Sequence, residues 1–173
     1  MSKAAPNTNR MIAAGFLTWV LPGAGHYYLG HRKFAAVFCG AIMLPFLAGV
    51  AIGGVKTSIN PHVNKWLFLA EMGAGGPTGA FFAVGNSVGG IDARTTAAVI
   101  QSDSPMSAQQ RSALGARLAP YRSYYPGSDI AQIYLAVAGL LNLLAILDAM
   151  TRAQTGGMPV YYHELGADGE RAA

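Results

Sequence analysis

The sequence predicts an all-α fold: a polytopic helical integral membrane protein with three to four hydrophobic helices and a short extramembrane helix within residues 86–129. Three observations predict it. Only 12% of the 173 residues are charged and 52% are hydrophobic, whereas soluble domains average about 25% charged. The apolar residues cluster in four blocks, 11–29, 34–55, 66–84 and 130–150, and about 20 residues suffice to cross the hydrocarbon core as a helix. Charge inside the blocks is confined to two acids, Glu71 in the third and Asp148 in the fourth.

Residues 1–10 form a polar tail. Block 11–29 is interrupted by Pro22, so it either spans or turns back at residues 22–25; spanning is the first reading. Its Trp19 suits a membrane interface. If it turned back, Lys3, Arg10, Arg32 and Lys33 would lie with the four arginines of the long loop. Residues 22–33, "PGAGHYYLGHRK", turn into block 34–55, the cleanest helix. There Ala41, Pro45, Gly49 and Gly53 recur at four-residue spacing, a small-residue face that lets another helix approach. Residues 11–55 thus read as a helical hairpin.

Residues 56–85 hold a polar loop and the third block. Gly73, Gly75, Gly76, Pro77 and Gly79 crowd its middle, so it reads as a broken helix, tolerated at membrane depth where protein or water covers it. Residues 86–129 form a polar loop. In it, Ser104-Pro105 precede a mildly amphipathic run that Pro120 ends, which predicts one short helix. Tyr121, Tyr124 and Tyr125 suit an interface. Block 130–150 is the last span. Ser128 or Asp129 offers an N-cap, and Arg152 suits the C-terminal dipole. Residues 151–173 form a polar tail.

The net charge of +4 is scattered, which suits lipid headgroups rather than nucleic acid. The lone cysteine, Cys39, permits no internal disulfide.

The turn invites ligand chemistry and fails its patterns. Gly25 and Gly30 have the gap of a phosphate loop, but His31 stands where lysine is needed. Gly23 and Gly25 begin a dinucleotide fingerprint, but Tyr28 takes the third glycine's place. His26 and His31 are five apart, which misaligns them on a helix face, so both are expected half wet at the interface and no metal or cofactor is expected. No Gly-x-Ser-x-Gly or His-Glu-x-x-His run is present, so no catalytic residue is assigned. Ser87 with His26 is the one conceivable pair for an intramembrane enzyme.

Three intramembrane polar candidates remain. Glu71 lies little more than one turn inside its block and is expected to reach the headgroups. Asp148 is expected to pair with Arg152 at i+4. Asn142, at mid-helix, is expected to seek a partner across a helix interface.

Pro22, Gly23, Gly25, His26, Tyr28, Gly30 and Arg32 follow the pattern Pro-Gly-x-Gly-x-x-Tyr-x-Gly with a basic residue after it. In this the turn resembles the signature of the two-transmembrane domain family, over about residues 11–55. The final run "YLAVAGLLNLLAILDA" is similar to that of an uncharacterised family of bacterial membrane proteins, a domain of unknown function. These resemblances imply a multi-pass protein of a bacterial inner membrane. The expected function is non-enzymatic: a structural, assembly or interaction component, with the lipid bilayer, other membrane proteins or a second copy as partners. The alternatives are a small transporter or channel subunit using Glu71 and Asn142, and an intramembrane enzyme.

Overall fold

Pro22 lacks the N–H that would bond the Thr18 carbonyl, and Gly23 adopts φ 85°, a region open to glycine. So α1 (Thr8–Val20) stops and a short α2 (Ala24–Tyr28) follows. The computed structural model describes residues 8–101, 106–121 and 128–155. A second left-handed glycine, Gly30, leads into α3 (Arg32–Gly53), which carries Pro45 inside it and ends at Gly54. The third block begins as α4 (Lys65–Glu71), where the Asn64 side chain accepts from the Trp66 and Leu67 amides. It passes through a 3-10 turn (Met72–Ala74) and Gly75 at φ 66°. It resumes as α5 (Gly76–Ser87), with Pro77 in the first turn, where a missing N–H is harmless.

Among the described residues the 86–129 segment holds two α-helices of its own, α6 and α7, where one was expected. Asp92 caps α6 (Ala93–Ile100), and Ser107 with Gln110 forms a capping box on α7 (Ala108–Leu118). They close over a small core of Ile91, Val99 and Leu118. The last block extends into α8 (Ser128–Thr155). Tyr124, Tyr125 and the side chains of Ser128 and Asp129 lie outside the described residues.

Among the described residues the fold is all helical. Two helices are long and apolar enough to cross a membrane, Arg32–Gly53 and Ile130–Thr155. Three to four were expected, and the breaks at residues 21–23 and 72–76 account for the difference.

Helix α8 is the axis on which the rest is built, packed by α3, α1 and α4. α3 runs antiparallel to it. Gly49 and Gly53, late in α3, meet Ala131 and Leu135 early in α8, whereas Phe34, early in α3, lies under Arg152. Half of the expected small-residue face therefore packs as read; Ala41 is exposed.

α1 is also antiparallel to α8: Gly15 lies against Met150, and the Thr18 carbonyl against Asn142. With 13 residues it reaches about 20 Å, under half of the about 42 Å of α8. α2 then folds back on α1, so closely that a Cβ at Gly25 would strike the Ala14 carbonyl. So residues 11–29 form a turned-back hairpin and not one membrane-length helix. The other broken block enters from the opposite end of α8. Ala70 meets Gly139, Gly75 and Gly76 meet the Trp19 and Val20 carbonyls, and Gly85 returns beside Val55. Two half-length hairpins thus come from opposite ends and touch at their tips halfway along α8. The arginines of residues 94–117 consequently lie at the end away from Arg10, Arg32 and Lys33, unlike the grouping that a turned-back first block had suggested.

Candidate functional site: the polar interior along the central helix

The tips meet at Asn142. Its side-chain amide donates to the Gly73 carbonyl at 2.9 Å and to the Thr18 carbonyl at 3.2 Å. Both carbonyls lie where a helix ends or breaks, so they lack the intrahelical donor that a continuous helix supplies. Asn142 is fully buried and supplies both donors from one side chain. Other side chains complete the seam. The Trp19 indole N–H donates to the Met72 carbonyl at 3.2 Å, and the Thr78 hydroxyl donates to the Glu71 carbonyl at 2.7 Å. The partners of Asn142 are backbone groups of two hairpins at once.

Glu71 departs from expectation. It was placed within reach of headgroups, yet it is 1% exposed. Its α-carbon lies against Gly139, where the absent side chain lets α4 and α8 touch backbone to backbone. Both carboxyl oxygens are buried without a hydrogen-bond partner.

At the C-terminal end of α8, Asp148 gathers three elements. Arg152 Nε donates to its Oδ2 at 2.6 Å, the expected i+4 pair. His26 Nε2 lies 2.8 Å from the same oxygen. The His26 ring stacks on Phe38 at 4.5 Å between centroids, and the Arg152 guanidinium sits 4.2 Å from the Phe34 ring centroid. His26 is wholly buried, not half wet as expected, because α2 folds under the start of α3. The arrangement clamps α2, α3 and α8 together. Arg32 and Lys33 are exposed beyond it, and the Arg32 guanidinium lies 5.7 Å from the centre of the exposed Tyr27 ring.

At the other end, Lys56 is buried. Its ammonium donates to the Gly85 carbonyl at 2.7 Å and the Ile91 carbonyl at 2.5 Å, tying the end of α5 and the start of the α6–α7 cap to the end of α3. Burial holds its pKa below the ordinary lysine value, and Asp92 opposes that shift. The Gln132 amide donates to the Thr57 carbonyl at 3.3 Å.

Sequence reasoning missed the His26–Asp148 pair, which joins residues 122 positions apart and leaves no local signal. It also missed Lys56, whose signal was the position of a lysine just after a helix-ending Gly-Gly. Ser87 and His26 form no pair. The Ser87 hydroxyl donates to the Val84 carbonyl, and Asp148 occupies His26 Nε2. No group of three or more metal-ligating side chains occurs among the described residues.

The class these features define is an all-helical protein with two membrane-length helices and a buried polar seam. Residues 13–158 match the model of a family of unknown function (DUF6677), and the chain belongs to that family. No curated protein and no solved structure matches it.

Proposed function

We propose that the chain is a multi-pass integral membrane protein, of a bacterial inner membrane, that works without catalysis as an assembly or interaction component. α3 and α8 cross the bilayer, and the two hairpins dip in from opposite faces. The observation that carries this reading is the apolar belt around the paired long helices. Val37, Leu44, Leu140, Leu144 and Leu147 all point outward, with Leu44 71% exposed, and a lipid environment is what satisfies such a surface. The non-catalytic part rests on how the reactive side chains are engaged. His26, Asp148, Arg152 and Asn142 each hold one helix to another, an arrangement that favours packing over turnover. The likeness of the Pro22–Arg32 turn to the two-transmembrane signature supports a tight hairpin within the membrane.

Most small residues are consumed by internal packing. Gly40 of α3 and Gly79 of α5 keep open space at the Cβ position, and there a second copy or another membrane helix can approach. Alkaline carbonate washing of expressing cells tests the placement. The chain is expected in the membrane pellet, and release into the wash rejects the reading. Turnover by the purified protein that disappears on substituting one polar residue rejects the non-catalytic part.

One observation favours a second reading, a small transporter or channel subunit. Opposed broken helices meeting midway, with an unpartnered carboxyl beside the seam, are a known way to build an ion path. Flux through reconstituted vesicles that is lost in Glu71→Gln supports it.

A further inference from the structure

We propose that Glu71 is a proton-binding site. In the closed packing of α4 on α8 its carboxyl carries the proton, and it exchanges that proton with water when the break at residues 72–75 parts from α8. The inference goes beyond the assembly reading and does not depend on it.

An ionised carboxylate in a protein interior needs a cation or several donors. Glu71 has neither hydrogen-bond donor on its oxygens nor a charged side chain on the surfaces that pack against it. The elements packed most heavily on α4 are α8 and the 3-10 turn, and Phe68 of α4 also meets Phe82 of α5. α1, which meets the turn, has Arg10 as its one charged side chain, near its far end. The turn, Met72–Ala74, brings no titratable group. Between Ile130 and Leu147, α8 brings only Tyr134, which lies beside Gly49 of α3. Asp148 lies further along α8, held by His26 and Arg152. α5 has no titratable side chain. Lys65 is exposed at the far end of α4. α3 offers Arg32 and Lys33, both exposed at its opposite end, and Cys39. The neutral acid is the form that this enclosure accepts.

Its position makes the acid exchangeable. The backbone carbonyls of Glu71, Met72 and Gly73 are held by side chains of Thr78, Trp19 and Asn142. Those bonds can part and re-form without unwinding a continuous helix. Asn142 Oδ1, one turn along α8 from Gly139, is a further buried acceptor with no partner, available to water entering the opened seam.

Infrared difference spectroscopy on the full chain in phospholipid vesicles, titrated with pH in H2O and D2O, tests this. The expected result is a protonated-carboxyl C=O band at neutral pH that shifts in D2O and vanishes reversibly at alkaline pH. It persists in Asp148→Asn, moves in Glu71→Asp and is absent from Glu71→Gln. The proposal is overturned by the absence of such a band at neutral pH. It is equally overturned by a band that neither shifts in D2O nor titrates while the chain stays folded, or by one lost in Asp148→Asn. The spectra of the unaltered chain and Asp148→Asn decide the matter even if Glu71→Gln does not fold.

Discussion

Asn142 does with one amide what a continuous helix would do with two backbone donors. Replacing it with leucine keeps the branched shape and the number of side-chain heavy atoms and strands the carbonyls of Thr18 and Gly73 in a buried seam. Each stranded buried acceptor costs about 1–3 kcal/mol, less where neighbours relax. Asn142→Leu is therefore expected to lower the thermal midpoint in detergent clearly. Asn142→Gln, which keeps a donor, is expected to lose less; equal loss in both would sink the bridging role. At this scale the sequence was partly legible. A polar residue at mid-helix announces a buried partner because lipid offers none, so Asn142 could be read directly. The depth of Glu71 could not. Counting residues from the start of its block assumes a helix entering from the surface and nothing else above it, and the opposing hairpin breaks that assumption. His26 misled for the same reason: its burial is a product of α2 folding under α3.

Elements were legible where their punctuation is local. Pro22-Gly23 and Gly75-Gly76-Pro77 end helices by backbone chemistry, and both breaks fall where read. α6 is legible only from Asp92 standing before an uninterrupted run of eight residues, an ordinary N-cap signal that the Ser104-Pro105 pair overshadows. Glycines within the helices differ in what they do, and substitution separates them. A Cβ at Gly139 would collide with the Ala70 carbonyl, whereas Gly79 has nothing nearby. Gly139→Ala is expected to destabilise by about 1–3 kcal/mol, as overpacking does. Gly79→Ala is expected to be neutral or to stabilise by about 0.4–1 kcal/mol through the unfolded chain. Thermal midpoints in one detergent compare them, and equal effects would contradict the packing of α4 on α8. The cap of α6 carries a pH signature. The Thr95 hydroxyl, then its backbone amide, hold the Asp92 carboxyl below its ordinary value of 3.8. A carboxyl lowered by folding contributes stability above its unfolded value and loses it as pH falls through the folded one. The protection of amides 93–100, measured against their intrinsic exchange rates, is thus expected to fall as pH drops below the ordinary aspartate range. In Asp92→Asn, which caps without titrating, that acid response should vanish; if it stays, another group is responsible.

For the whole molecule, topology follows from which helices stop halfway. Four plain spans would put residues 1–10 and residues 30–33 on opposite faces of a membrane. The observed fold puts residues 8–10 and 30–33 at one end of the helix bundle, with the end of α8, because α1 and α2 return to the end they started from. The segments at residues 54–64 and the α6–α7 cap share the other end of the bundle, joined through Lys56 and by the Gln101 side-chain amide donating to the His62 carbonyl. Charge could not reveal this from the sequence. Arg10, Arg32, Lys33 and Arg152 stand at one end, and Lys56, Lys65, Arg94, Arg111 and Arg117 at the other, too even a division for the positive-inside rule. Cysteine placement can decide it. In a Cys39→Ala background, single cysteines at Asn9, Lys33 and Ser112 all occupy exposed positions. An impermeant thiol reagent added to sealed, oriented vesicles is expected to label Asn9→Cys and Lys33→Cys from the same side and Ser112→Cys only from the other. Labelling of Lys33→Cys together with Ser112→Cys, and apart from Asn9→Cys, would restore the spanning first helix. It would also remove the meeting of the two hairpin tips on which the Asn142 bridge and the enclosure of Glu71 both depend.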